Sequence, residues 1–316
     1  MGLEAIVIGR VGADLYPNQI ETPLSKVRTF TRFAGGFSAN VATGLARLGV
    51  EVAIVSRVGD DGHGRFVREF LESEGVDVRW LETDPQYLTP LVFCEVWPPD
   101  HFPLLFYREP TAPDWEITSA SIDRGVVRTA PALFASGTCL ARSPSRETTL
   151  ELMEAHGGMT VFDLDWRPSL WREPYAYPDL ARRACAAAAI VIGNEDELRA
   201  ATEQDDPERG ASELLAAGPR AVIVKRGPRG VVGLTGTERV EVPGIEAPVV
   251  NGLGAGDAFA AALTAALLRD VALPVALDEA NAAGAYVAGQ LACSEAMPTR
   301  SQLNEFLAQP GGGRRS

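Results

Sequence analysis

Residues 249–268 read VVNGLGAGDAFAAALTAALL. Three glycines, Gly252, Gly254 and Gly256, lead into a nearly unbroken run of small and apolar residues, which predicts a buried helix. Bare backbone N–H groups and the positive end of that helix would face one point, an arrangement suited to an anion and above all to phosphate. Asp257 falls in the first helical turn, where a carboxylate can take a proton from a hydroxyl attacking that phosphate. Taken alone, the stretch also fits a Gly-rich turn with an acidic residue at a favourable helix start. The rest of the chain has to decide.

Upstream, short β-branched runs alternate with helical stretches. AIVIG (5–9), ANVATGLARLG (39–49), VEVAIVS (50–56) and GRFVREFLESEG (64–75) read as βαβα, and a mainly parallel sheet follows from that order. The rhythm resumes with ALFAS (132–136), a helix near 145–156, MTVFDLD (159–165), a helix near 176–187, AIVIGN (189–194), a helix pair to about 217, and AVIVKRG (221–227). Six or more strands would share one sheet. Residues 11–33 and 88–109 break the pattern, the second as a hairpin turned at Pro98-Pro99-Asp100, and the two segments are expected to pair as a small β lid. One body over 1–306 with a disordered tail at 307–316 accounts for the chain.

Composition narrows the class. With 46% apolar and 22% charged residues the chain is globular, and a net charge of −13 opposes nucleic acid or an anionic membrane as partner. Cys94, Cys139, Cys185 and Cys293 are widely spaced and only three histidines occur, so neither a zinc site nor a disulfide framework is indicated. A reducing cytoplasm fits, and the start MGLEAIVIGR has no basic n-region before its first strand.

GAGDAF with its small-residue helix resembles the C-terminal signature of the ribokinase (PfkB) family of carbohydrate kinases. AGGFSANVATGLARLG (34–49) is similar to that family's first signature, and Gly12-Ala13-Asp14 to its early acidic position. The resemblance covers nearly the whole chain and implies a three-layer α/β/α fold, ATP and Mg2+ as cofactors, a small-molecule acceptor and pairing of lids in a homodimer. It also implies roles. Asp14, Gly35, Gly36 and Asn40 would hold sugar hydroxyls; Gly254, Ala255 and Gly256 would form the anion hole, with Asp257 as base. Asn194, Lys225, Gly227, Gly230 and Asn281 would meet the nucleotide, and Glu197, fourth in NEDE (194–197), would organise magnesium through water. Asn194 and Glu197 equally suit a helix N-cap with its reciprocal acidic partner, and the glycines of KRGPRG (225–230) equally suit a hairpin turn. Asn251 departs from the pattern: the family commonly has Asp there, beside the metal or a monovalent cation such as K+.

Arg108 in FYREP (106–110) and Arg167 after Asp163-Leu164-Asp165 suggest a carboxylate ligand, although ion pairs with Glu109 or Asp165 would use them as well. IGRVGADLYP, FYREPTAPD, NGLGAGDAF and ANAAGAYVAGQLACSEAMPT (280–299) look like the subgroup of the family that phosphorylates 5-dehydro-2-deoxygluconate in inositol breakdown. A 2-keto-3-deoxygluconate or fructose kinase remains an alternative, as does a sugar sensor on the same fold. A dinucleotide-binding dehydrogenase fares poorly, because the first strand is not followed by G-x-G-x-x-G.

Overall fold

The computed structural model of the chain describes residues 2–309. The strands are β1 (Ala5–Ile8), β2 (Gly12–Pro17), β3 (Phe30–Gly35), β4 (Val52–Gly59), β5 (Asp77–Asp84), β6 (Leu91–Cys94), β7 (Leu104–Tyr107), β8 (Ala132–Ser136), β9 (Met159–Asp163), β10 (Ile190–Asn194), β11 (Ala221–Lys225), β12 (Val231–Thr235) and β13 (Arg239–Val242). The helices are α1 (Phe37–Arg47), α2 (Gly62–Ser73), α3 (Arg124–Thr129), α4 (Ser145–Ala155), α5 (Tyr177–Ala186), α6 (Glu195–Thr202), α7 (Pro207–Ala216), α8 (Ala255–Leu268), α9 (Leu273–Ala288) and α10 (Arg300–Ala308).

Nine strands form the main sheet in the order β13-β12-β11-β10-β9-β8-β1-β4-β5, parallel from β11 to β5, with β12 and β13 added antiparallel. Alternation along β1 assigns the two faces: Ala5 and Val7 join one core, Ile6 and Ile8 the other. The first core is covered by α1, α2, α8, α9 and α10, the second by α3 to α7, which makes three layers. No described helix is long and apolar enough to cross a membrane.

The segments that break the rhythm carry a second sheet, β3-β2-β6-β7, with β2 and β6 parallel and the β6–β7 hairpin turning beyond the Trp97–His101 bridge. Of the tail expected at 307–316, residues 307 and 308 belong to α10, and residues 310–316 lie outside the described residues.

Strand order reverses at β1, where β4 lies on one side and β8 on the other. In parallel sheets the C-terminal strand ends at such a point open a crevice for ligand. Arg10 follows β1, Thr138 follows β8, Asp163 and Asp165 end or follow β9, Asn194 ends β10 and Lys225 ends β11. The parallel sheet therefore collects these side chains at one edge.

Candidate active site

Gly254 starts α8 at φ 80°, and a Cβ there would stand 2.8 Å from Cys293 Sγ, so conformation and space both require glycine. No side chain caps α8, and the first N–H returned to the helix is that of Ala258, bonded to Gly254 O. The preceding amides are left open to an anion. Lys225 Nζ faces the same turn, 3.3 Å from where a Cβ on Gly256 would sit.

Asp257 is held from across the core. Asn40 Nδ2 donates to Asp257 Oδ2 at 2.6 Å, and Ser294 Oγ donates to Asn40 Oδ1. The contact exists because α1 and α8 touch one turn further along: a Cβ on Gly44 would lie 2.7 Å from Ala261 Cβ. Asn40 and Gly44, like Asp257 and Ala261, are four residues apart and share a helix face. Burial raises the Asp257 carboxyl to about 6, against the Asn40 hydrogen bond, which lowers it. Asn40 was expected to hold substrate; both ends of its amide are engaged by protein.

Asp14, on β2, is likewise raised to about 6 by burial, with Arg10 opposing, and Tyr16 Oη donates to it at 3.4 Å. Gly35 lies directly against that carboxylate, where a Cβ would come within 2.1 Å of Asp14 Cγ. Its smallness makes room for Asp14. Gly36, at φ 94°, turns the chain into α1 against Arg10 O.

A second cluster lies at the ends of β9 to β11. Lys225 Nζ donates to Asp163 Oδ2 at 3.0 Å and stands 4.0 Å from Glu197 Oε2. Burial pulls the lysine down, but the two carboxylates outweigh it and hold Lys225 charged. Glu197 and Asn194 form the reciprocal cap of α6: Asn194 N donates to Glu197 Oε2 at 2.7 Å, and Glu197 N to Asn194 Oδ1 at 2.9 Å. Asp165 accepts from Thr138 Oγ1 at 2.9 Å, pairs with Arg167 Nε at 3.2 Å and has Arg10 at 4.0 Å.

Arg108 departs from expectation. Its guanidinium is buried, donates to the Asp114 carboxylate and stacks 4.2 Å from the Trp115 ring centre, while Asp114 also accepts from Val11 N. Paired in this way, Arg108 anchors the lid strand to the segment at 113–115, and meeting an acceptor would require it to give up or share Asp114.

A cavity of about 720 Å3 opens beside the α8 turn, lined among others by Lys225, Gly227, Gly230, Gly256, Phe259 and Asn281. Pro99 and Asp100, at the tip of the β6–β7 hairpin, reach its rim. Gly227 and Gly230 also make the β11–β12 hairpin, with φ of 56° and 88°. Its size and largely apolar walls suit a nucleotide base and ribose, with phosphates towards Gly256 and Lys225.

The sequence pattern described as pfkB family carbohydrate kinase matches residues 3–300. The chain belongs to the pfkB family. This pfkB kinase is 36% identical over 323 residues to a 5-dehydro-2-deoxygluconokinase of Geobacillus kaustophilus, covering 98% of this chain and 95% of that one. It is 34% identical to the enzyme of that name from Shouchella clausii, over 97% and 96% of the two chains. Aminoimidazole riboside kinase from Salmonella enterica, solved with its riboside and an ATP analogue, superposes with a TM-score of 0.82 at 28% identity, over 97% of this chain and 100% of that one. Fructokinase from Vibrio cholerae O395, in its fructose, ADP and calcium ion form, gives 0.84 at 27% identity over 96% and 99%. The pfkB kinase is thus an ATP-dependent sugar kinase with the ribokinase-like fold.

Among the described residues no three His, Cys, Asp or Glu side chains are grouped to hold a metal ion. Glu197, buried and engaged by Asn194 N, fits an outer partner of a hydrated magnesium carried by the nucleotide and not a direct ligand. Asn251, fully buried, donates from Nδ2 to Leu291 O at 2.7 Å and accepts from Leu253 N at 3.1 Å, so it ties the anion loop by itself. Sequence reasoning missed Arg10, Asp163 and Ser294. Arg10 stood in plain view at the end of the first strand, but nothing local marked it as facing the cleft.

Proposed function

We propose that this kinase transfers the γ-phosphoryl group of ATP to a hydroxyl of a sugar acid, 5-dehydro-2-deoxygluconate. The observation that carries the chemistry is the Asp257 carboxylate, raised to about 6, fixed by Asn40 and set in the first turn of a helix whose opening is capped by no side chain among the described residues. The acceptor is supported by the relatives at 34–36% identity and by arginines beside the acidic cluster at β1 and β9.

In this reading the nucleotide lies in the cavity at Gly227, Gly230 and Asn281, with its γ-phosphate over Gly254, Ala255 and Gly256. Lys225 balances phosphate charge from the β11 end, and magnesium, when bound with ATP, spreads more of it. The sugar lies under the lid with Asp14 against its hydroxyls and Arg167 towards its carboxylate. Asp257 takes the proton of the attacking hydroxyl as the new O–P bond forms, and the bond from γ-phosphorus to the bridging oxygen breaks to release ADP. Lid strands β6 and β7 would exclude water, the competing acceptor. The reducing interior of a cell suits its four cysteines, all free and buried.

The test is ADP release with ATP and magnesium across 5-dehydro-2-deoxygluconate, 2-keto-3-deoxygluconate, gluconate, fructose, ribose and adenosine. Highest kcat/KM on the first is expected. Preference for a neutral sugar removes the sugar-acid assignment and leaves the kinase.

A further inference from the structure

Three arginines stand around the acceptor cleft, and they differ in what they already hold. Arg108 is paired with Asp114. Arg167 rests its Nε on Asp165 Oδ1 at 3.2 Å, with the side chain 42% exposed. Arg10 is different. Its single ion pair, to Asp165 Oδ2, is at 4.0 Å, beyond hydrogen-bond length, and its Nε is buried with no partner. Among the described residues its guanidinium makes no hydrogen bond. Buried donors almost always have acceptors, and a guanidinium without one bears the cost of lost hydration.

The main chain under Arg10 is fixed. Arg10 O accepts from Ser38 N at 3.0 Å and packs where Gly36 has no Cβ, so the residue is pinned between the end of β1 and the start of α1. Its charge acts on both Asp14 and Asp257, which puts it in the acceptor half of the cleft. It is not among the residues lining the nucleotide cavity. Phe106, on lid strand β7, lies over it with the ring centre 5.8 Å from Arg10 Cζ.

We infer that Arg10, under Phe106 and beside Arg167, receives the acceptor's carboxylate and selects sugar acids over neutral sugars. This rests on the sugar-acid reading above. A guanidinium presents planar paired donors that match the two oxygens of a carboxylate, and the missing acceptors of Arg10 are of that kind. Arg10 thus replaces Arg108 as the second arm of the clamp, and the lid supplies a ring above it in place of a charge.

The test compares wild type with Arg10→Gln and Arg10→Lys, measuring kcat and KM on 5-dehydro-2-deoxygluconate and on fructose at saturating ATP. In Arg10→Gln the acid-to-neutral ratio of kcat/KM should fall about 30-fold, the scale of a lost hydrogen bond to a charged group, and the loss should sit in KM for the acid. Arg10→Lys should recover part of the ratio, and it carries the same test if the Gln variant does not fold. Equal losses on both acceptors would make Arg10 a support for Asp165 or a group acting on the phosphoryl, and would overturn the inference. So would an unchanged ratio. If wild type itself shows no preference for the acid, the sugar-acid reading falls and the inference with it; preference in wild type with the ratio kept in the variants removes the inference alone.

Discussion

The amide of Asn40 meets the carboxylate of Asp257 at 2.6 Å, although the two residues are 217 positions apart in the chain. That bond orients the carboxylate and, by favouring its charged form, lowers a pKa that burial raises. Asn40→Ala should therefore slow turnover and move the acid limb of the kcat profile upward by about one unit, the scale of a lost charge-assisted hydrogen bond. A kcat loss with the limb unmoved would make Asn40 a packing residue only.

Asp257→Asn should lower kcat about 100-fold or more, the range of a lost general base, with ATP binding by titration calorimetry nearly intact. Near-normal turnover would remove Asp257 from the chemistry.

In wild type, kcat should fall below about pH 6, where Asp257 becomes protonated and cannot accept a proton. Stability runs the other way. The carboxyl titrates at about 6 in the folded protein against 3.8 as the ordinary value, so the native state binds the proton more tightly. This group's contribution is most favourable below 3.8 and is lost as pH rises through 6. The Tm advantage of Asp257→Asn over wild type should accordingly be largest near pH 8 and shrink towards pH 4. A gap independent of pH would contradict the raised value.

Gly44 controls the approach of α1 to α8 through Ala261. Gly44→Val inserts atoms into a 2.7 Å space between two buried helices and should cost about 1–3 kcal/mol by overpacking, read by denaturant unfolding. Because Asn40 is one turn away, kcat should fall as well in protein that remains folded. Full activity in the folded variant would uncouple the helix contact from the Asp257 anchor.

Asn251 ties Leu291 O to the anion loop with a neutral amide. Activity should differ by less than about twofold among potassium, sodium and tetramethylammonium salts at fixed ionic strength, since no carboxylate waits there for a counter-ion. A strong rise with K+ alone would show that backbone oxygens suffice to bind it.

The sequence made the layers of the fold readable because parallel strands buried on both faces and the small-residue helix α8 each leave a local pattern. It was less explicit about β5 and β13, where half-exposed positions dilute the signal. Asp257, Asn40 and Asp14 stood out by motif, yet what Asn40 bonds depends on a helix contact that no local pattern encodes. The partner of Arg108 was hidden for a similar reason. That partner, Asp114, is only six residues on, but their pairing follows from how the single helical turn at 113–115 brings Asp114 and the Trp115 ring against the guanidinium. Arg10 looked unremarkable because a strand end carries no mark of which side chain will face a cleft.

The anchor of the base has one further consequence, for the growing chain. Asn40 leaves the ribosome early, Asp257 late, and Ser294 later still. No N-terminal fragment that stops short of α8 contains both a base and the loop for phosphate, however well its first strands have folded. On the mechanism proposed above, an unfinished copy should therefore be unable to turn ATP over on water, with the chemistry switching on only when synthesis is nearly complete.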